Sequence, residues 1–116
     1  MTGGKSPRNR GDYFEYQTRD DLISRGYIVG RSAGSRGSFD LVAMADGHKP
    51  MLVSCKVNGV ITKAQRNAIL AAAIKAGATA VLAHRPKPGH VSYARIVRER
   101  PKPGPDDEIS QLDPAG

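Results

Sequence analysis

The order of apolar and polar residues along this chain predicts two helices. A segment without Gly or Pro runs from 12 to 25, carries an apolar face and is followed by Gly26, which predicts the first helix. An alanine-rich segment follows Thr62 and is closed by Gly77, which predicts the second. Gln65 stands at the capping-box position of that helix, although it could instead lie near a functional site.

Five short runs of strand-forming residues complete the pattern. They cover residues 27–29, 39–45, 51–57, 78–83 and 91–97. The tripeptide Asp-Gly-His at 46–48 separates the second run from the third, which predicts a hairpin. The element order is therefore α-β-β-β-α-β-β. This order predicts an α/β fold in which a central mixed β-sheet is flanked by helices.

The 116 residues are enough for one domain, and no internal repeat is present. We predict a folded domain over 12–100, a flexible basic arm over 1–11 and a disordered acidic tail over 101–116. The chain has 18 Lys and Arg against 11 Asp and Glu, a net charge of +7. Because the tail is net acidic, the body is more basic than the whole chain.

Charge and cysteine content narrow the classes of partner and compartment. A body this basic favours nucleic acid, although a basic surface can also serve solubility alone. Cys55 is the single cysteine, which excludes an intramolecular disulfide and predicts a reducing, cytoplasmic environment. No apolar run approaches the roughly 18 residues that span a membrane, so no membrane partner is expected.

Three polar residues interrupt the two strands of the predicted hairpin: Asp40, Ser54 and Lys56. If the hairpin is centred on Gly47, Asp40 lies opposite Ser54, and opposed side chains share one face of the sheet. Alternation places Lys56 on that face too. The apolar residues beside them point the other way, into the core: Phe39, Leu41, Val53, Cys55 and Val57. The pattern predicts a carboxylate and an ammonium group at one end of one sheet face.

A carboxylate beside a lysine suits phosphodiester hydrolysis. The carboxylate can hold Mg²⁺, an ion that takes oxygen ligands, activates water and neutralises phosphate charge. The lysine can orient the water or stabilise the transition state. Glu15 on the first helix is a candidate second carboxylate. Spacing alone leaves open the alternative that Asp40 and Lys56 form a cross-strand salt bridge on a solvated face.

Three blocks of sequence carry a family resemblance: Val29-Gly-Arg-Ser-Ala-Gly-Ser35, Asp40-Leu-Val-Ala43 and Val53-Ser-Cys-Lys-Val57. They resemble the core of the archaeal Holliday junction resolvases and their phage relatives, which belong to the PD-(D/E)xK nuclease superfamily. The resemblance covers roughly residues 11–97. It implies a PD-(D/E)xK nuclease core and a structure-specific DNA endonuclease that cleaves branched DNA with Mg²⁺ or Mn²⁺. Because a four-way junction has two-fold symmetry, it also implies a homodimer.

The resemblance assigns roles to individual residues. Glu15 matches the helix glutamate and Asp40 the central metal-binding aspartate, and the main-chain carbonyl of Cys55 is a further expected metal ligand. Lys56 matches the motif lysine. The remaining matches are the basic residue and the loop serine near the scissile phosphate, Arg31 and Ser35.

Other basic residues are candidate phosphate contacts. In the arm and the glycine-rich loop they are Arg8, Arg10 and Arg36, and on the second helix Lys63 and Arg66. Solvated surface charge is an equally open interpretation of the last three.

Two residues depart from the family pattern. Ser54 stands where the (D/E)xK element has its acid, and a hydroxyl is a poorer Mg²⁺ ligand than a carboxylate. Tyr16 stands where the archaeal proteins tend to carry an arginine. These departures leave two rival interpretations: a repair or restriction-like nuclease on other DNA, and a DNA-binding protein with a decayed active site.

Overall fold

The computed structural model of the chain describes residues 10–32, 38–98, 102–109 and 112, with side chains from residue 13 onward. The helices and strands follow the predicted order, with bounds that differ by a few residues. They are α1 (Arg10–Ser24), β1 (Ile28–Arg31), β2 (Leu41–Met44), β3 (Met51–Cys55), α2 (Lys63–Ala76), β4 (Thr79–His84) and β5 (Ser92–Arg95). In the described part of the chain, neither helix is long and apolar enough to cross a bilayer.

The sheet has five strands in the order β1-β2-β3-β4-β5. The pair β3–β4 is parallel and the other pairs are antiparallel. A parallel pair needs a crossover, and α2 supplies it between β3 and β4. The predicted mixed sheet flanked by helices is therefore confirmed.

Each face of the sheet is covered by one helix. On the α1 side, Phe14 and Leu22 pack with strand residues such as Val53 and Val81. On the α2 side, Ile69 packs in a separate cluster with Leu52, Leu82 and others. The division follows from the alternation of side chains along each strand, which sends neighbouring residues to opposite faces.

The caps of α2 explain its sharp ends. The Thr62 hydroxyl accepts a hydrogen bond from the Gln65 backbone N–H at 3.1 Å, and the Gln65 side chain accepts one from the Thr62 N–H at 3.1 Å. Gly77 follows with a φ of 65°, a left-handed conformation that glycine adopts without strain. Gln65 therefore acts as a capping residue, one of the two roles left open for it.

The hairpin of β2 and β3 has the predicted register. Leu41 pairs with Val53 and Ala43 with Met51, which centres the turn on Gly47. Gly47 has a φ of 77°, as a tight turn of this kind requires. The regular ladder ends at Leu41, so the pairing of the next residue departs from the prediction, as described below.

The folded part of the chain extends beyond the predicted domain at both ends. Helix α1 begins at Arg10, so the last two residues assigned to the basic arm are helical. Residues 102–109 and Leu112 pack against the domain, within the segment over 101–116 for which the sequence predicts a disordered tail. A short 3-10 helix spans Pro105–Asp107, and Leu112 is only 6% exposed within the α1-side core.

An edge strand explains why the C-terminal segment packs. The backbone groups of β5 have no strand partner on their outer side, and such groups readily accept another segment. Glu108 forms a β-bridge with Ala94, and the Ile109 N–H donates to the Tyr93 carbonyl at 2.8 Å. The Glu108 carboxylate also pairs with His84 at 3.0 Å. The segment thus covers the open edge of the sheet.

Candidate active site

One end of the sheet brings together residues from β1, β2 and β3. Arg31 is the last residue of β1, Asp40 directly precedes β2, and Cys55 is the last residue of β3. Because β2 runs antiparallel to both neighbours, its start lies beside their ends. Lys56 follows β3 at the same end. The fold therefore brings four of the predicted site residues to the same end of the sheet.

Backbone and side-chain hydrogen bonds hold Asp40 in place. Its N–H donates to the Val53 carbonyl at 2.9 Å, and its carbonyl accepts from the Ser32 N–H at 2.9 Å. Its carboxylate Oδ2 accepts a hydrogen bond from the Cys55 N–H at 2.7 Å. In the observed register the Cys55 N–H would lie opposite the backbone of Phe39. The Asp40 carboxylate therefore takes the place of a backbone acceptor at the end of the ladder. Asp40 is thereby fixed to the end of β3.

The chain before Asp40 takes a different course from the predicted one. Phe39 packs with the α2-side cluster, whereas alternation predicts it on the side of Leu41. The reason is that residues 38–40 have left the regular strand, so the alternation of β2 no longer applies to them.

Glu15 reaches the site through an ion pair with Arg31. The Arg31 Nη2 atom lies 3.0 Å from the Glu15 Oε1 atom. The same guanidinium donates from Nη1 to the Tyr16 hydroxyl at 3.4 Å and lies 5.0 Å from the centre of the Tyr16 ring. The pair links α1 to the end of β1. This arrangement places the predicted helix carboxylate and the predicted phosphate-binding arginine in direct contact.

The pKa of the Cys55 thiol depends on its burial and on the charged groups near it. Burial raises the pKa of this thiol far above its ordinary value, and the carboxylates of Asp40 and Glu15 raise it further. A hydrogen bond with Thr18 and the ammonium of Lys56 lower the same pKa. Two carboxylates and one ammonium therefore act on one side chain, and the cysteine remains a neutral thiol. This is consistent with a packing role for the half-buried side chain.

Lys56 is held by its backbone. Its N–H donates to the Ala83 carbonyl at 2.9 Å, and its carbonyl accepts from the Gly59 N–H at 2.8 Å. None of the ion pairs of the described residues joins it to Asp40. The cross-strand salt bridge left open by the sequence is therefore not formed.

Ser54 lies on the side of the sheet opposite α1, which carries Glu15. It pairs with Leu82 in the parallel ladder and is 4% exposed. Because Cys55 packs on the α1 side, alternation puts the Ser54 side chain on the α2 side, opposite the helix that carries Glu15. The residue that replaces the motif acid is thus buried between the sheet and α2.

We expect Ser54→Glu to lower the stability of the protein by about 2 kcal/mol or more, because a carboxylate would be buried beside apolar residues without a partner. Ser54→Ala is the matched control and should change stability little. Urea unfolding of the three proteins measures the difference. A Ser54→Glu protein as stable as the wild type would show that this position opens toward water.

The other candidate phosphate contacts differ in their exposure and in whether the structure describes them. Lys63 is exposed in the first turn of α2, where it stays a candidate phosphate contact. Arg66 is 8% exposed and donates from Nε to the Arg98 carbonyl at 3.0 Å, so it holds the chain after β5 and is not free to bind DNA. Three candidates, Arg8, Ser35 and Arg36, lie outside the described residues, as does the side chain of Arg10.

Sequence analysis missed Arg85. This residue directly follows β4, and its N–H donates to the Val57 carbonyl at 3.1 Å. Its guanidinium lies 5.9 Å from the centre of the Phe14 ring. Because β4 runs parallel to β3, Arg85 reaches the same end of the sheet as Lys56. The parallel pairing, once predicted, would have pointed to it.

The donors at this end suit a hard metal ion. Asp40, Glu15 and the Cys55 carbonyl would all present oxygen atoms, the ligand type that Mg²⁺ prefers. Among the described residues, no three His, Cys, Asp or Glu side chains lie close enough to hold a metal by themselves. Mg²⁺ commonly binds through one or two carboxylates, with water and substrate phosphate as the other ligands. An ion held here would therefore need water or a substrate phosphate to complete its ligands.

Comparison with known proteins gives a structural match and no sequence match. No protein-family model and no curated protein sequence matches the chain. Among solved structures, Hjc of Archaeoglobus fulgidus, a Holliday junction resolvase from an archaeal hyperthermophile, is similar with a TM-score of 0.66 and 20% sequence identity. The match covers 76% of this chain and 74% of that chain. The chain therefore has a resolvase-like α/β fold.

Proposed function

We propose that this protein is a Mg²⁺- or Mn²⁺-dependent endonuclease that cleaves branched DNA, with the four-way junction as its principal substrate. The observation that carries the proposal is the position of Asp40 and Lys56 at one end of the sheet, where the Asp40 carboxylate accepts the Cys55 N–H. Glu15 is near enough to raise the pKa of the Cys55 thiol. The resolvase-like fold supports it, because the similar protein is described as a Holliday junction resolvase.

Each residue has a chemical task in this proposal. Asp40 and Glu15, with the Cys55 carbonyl, would hold the metal ion. When bound, the ion supplies Lewis-acid stabilisation of the phosphate and a more acidic water. Lys56 places a positive charge where negative charge develops on the phosphate. Arg31 orients the scissile phosphate through its planar guanidinium, which can donate two parallel hydrogen bonds.

Charge and symmetry support the choice of partner. The chain carries a net charge of +7, and Arg85 adds a cation at the same end as Lys56. Coordinated cleavage of two strands across a two-fold symmetric junction needs two active sites. We therefore propose that a homodimer is the acting form.

Junction affinity should fall steeply with salt. If about six or more phosphates are neutralised per dimer, affinity drops by roughly 10³ between about 50 and 200 mM salt, because bound counterions are released. Titration of a labelled junction at several salt concentrations measures the slope. A flat salt dependence would contradict phosphate binding by this basic body.

The substrate class is tested by offering a four-way junction and a linear duplex of the same sequence at one salt concentration. The proposal expects tighter binding and faster cleavage of the junction. Equal rates on both substrates would favour a repair or restriction-like nuclease instead.

A second candidate is a DNA-binding protein whose active site has decayed. It is favoured by Ser54, which stands in place of the motif acid and is buried on the α2 side of the sheet. This candidate expects junction binding without cleavage at any metal concentration.

A further inference from the structure

The outer face of α1 carries two exposed tyrosines beside the candidate active site. Tyr13 is 60% exposed and Tyr16 is 42% exposed, although both rings are largely apolar. They lie one helical turn apart, so they are neighbours on the same face. Phe14 and Leu22 point the opposite way, into the core. The exposed rings are therefore not needed to pack α1 onto the sheet.

Two guanidinium groups lie over the ring of Tyr16. The Arg19 guanidinium is 5.3 Å from the ring centre and the Arg31 guanidinium is 5.0 Å away. Each is paired with a carboxylate, Arg19 with Asp20 at 2.9 Å and Arg31 with Glu15 at 3.0 Å. The pairing neutralises much of their charge while leaving planar groups at the surface. The flat faces of these groups can stack on a nucleobase.

Arg31 also joins this surface to the site. Its guanidinium contacts both the Glu15 carboxylate and the Tyr16 hydroxyl. A DNA strand held by a metal ion at Glu15 would therefore be separated from Tyr16 by the Arg31 side chain alone.

We propose that Tyr13, together with Tyr16 and the Arg19 and Arg31 guanidinium groups over its ring, forms a stacking surface for unstacked nucleobases of the DNA strand at the branch point. The inference rests on the proposed function and names the part of the substrate that this face of α1 contacts. Base faces stack on aromatic rings and on guanidinium planes, largely without regard to sequence. Continuous duplex stacking is interrupted at a branch point, so bases are most easily exposed there. The surface would thus help to distinguish a junction from a linear duplex.

The test measures binding in EDTA, so that it does not depend on cleavage. The variants are Tyr13→Leu, Tyr16→Leu and the matching Phe substitutions, and the control is Ile23→Ala, an exposed residue further along the same helix. Each Leu variant should bind the junction about fivefold to a hundredfold more weakly, whereas the Phe variants and the control should bind like wild type.

A second set of junctions carries abasic sites at the branch point. Wild-type affinity should fall on these junctions, and the Leu variants should lose nothing further, because the stacking partner is already missing. A 2-aminopurine base at the branch point should show a fluorescence change on binding wild type that the double Leu variant does not produce.

Other outcomes separate this inference from the proposed function. Leu variants that bind and discriminate like wild type would overturn the stacking surface while leaving junction cleavage in place. The stacking surface would also be overturned if a Leu substitution weakened binding to the abasic junction as much as it weakens binding to the intact junction. If the Leu variants instead convert a dimer to a monomer in sedimentation equilibrium without changing the response to abasic DNA, the face binds a second copy of the chain. A wild-type protein that does not prefer junctions would contradict both proposals.

Discussion

Asp40→Asn is expected to reduce cleavage of a four-way junction by about 10³-fold or more while junction binding stays close to wild type. Asparagine has nearly the same shape, and its amide oxygen can still accept the hydrogen bond that the Cys55 N–H gives to Asp40 at 2.7 Å. The end of the β2–β3 ladder should therefore be preserved. What is lost is the negative charge that would hold the metal ion.

Single-turnover cleavage rates and binding isotherms on one labelled junction separate the two effects. Asp46→Asn is the matched control, because Asp46 is exposed in the hairpin turn at the opposite end of β2. It removes the same charge and should leave the cleavage rate unchanged. Retained cleavage by Asp40→Asn would remove this residue from the mechanism. Loss of both cleavage and binding would give it a structural role only.

Deletion of residues 101–116 is expected to destabilise the protein by about 3 kcal/mol or more. Full burial of one leucine contributes about 1.5–3 kcal/mol, and the deletion removes the buried Leu112 as well as the contacts of Ile109. The outer edge of β5 would also lose the partner that covers it. The free energy of unfolding in urea, compared with that of the full chain, measures the effect.

Point variants in the same segment sharpen this test. Leu112→Ala alone should cost about 2–5 kcal/mol, the usual range for a buried leucine. Asp106→Ala is the control, because Asp106 is exposed in the same segment. Equal stability of the truncated and full chains would mean that residues 102–112 contribute nothing to the core.

The elements of this fold follow closely from the sequence. Gly26 and Gly77 mark where the two helices are closed, and Gly47 marks the centre of the hairpin. Because the centre of the hairpin fixes its register, Asp40 and Lys56 could be placed at the same end of the sheet from the sequence. The family resemblance gave Glu15 its role and added Arg31, and these two lie in direct contact.

Other features depend on tertiary contacts that local sequence does not encode. The segment after residue 101 is mostly polar, so the burial of Leu112 depends on the open edge and core that β5 happens to offer. Arg66 is charged and would be expected at the surface, but the Arg98 carbonyl gives its buried guanidinium a partner. The Asp40 carboxylate ends the ladder by accepting the Cys55 N–H, and Phe39 packs on the α2 side beyond that end. Each of these depends on where another chain segment lies.

The most direct test of the central claim is the cleavage of a synthetic four-way junction by the full chain as Mg²⁺ is titrated from zero, with EDTA as the baseline. The account predicts no cleavage in EDTA, a rate that rises with Mg²⁺ and saturates, and paired cuts placed symmetrically about the branch point. Tight junction binding with no cleavage at any Mg²⁺ or Mn²⁺ concentration would contradict it, and would show that the end of the sheet holding Asp40 and Glu15 no longer performs hydrolysis.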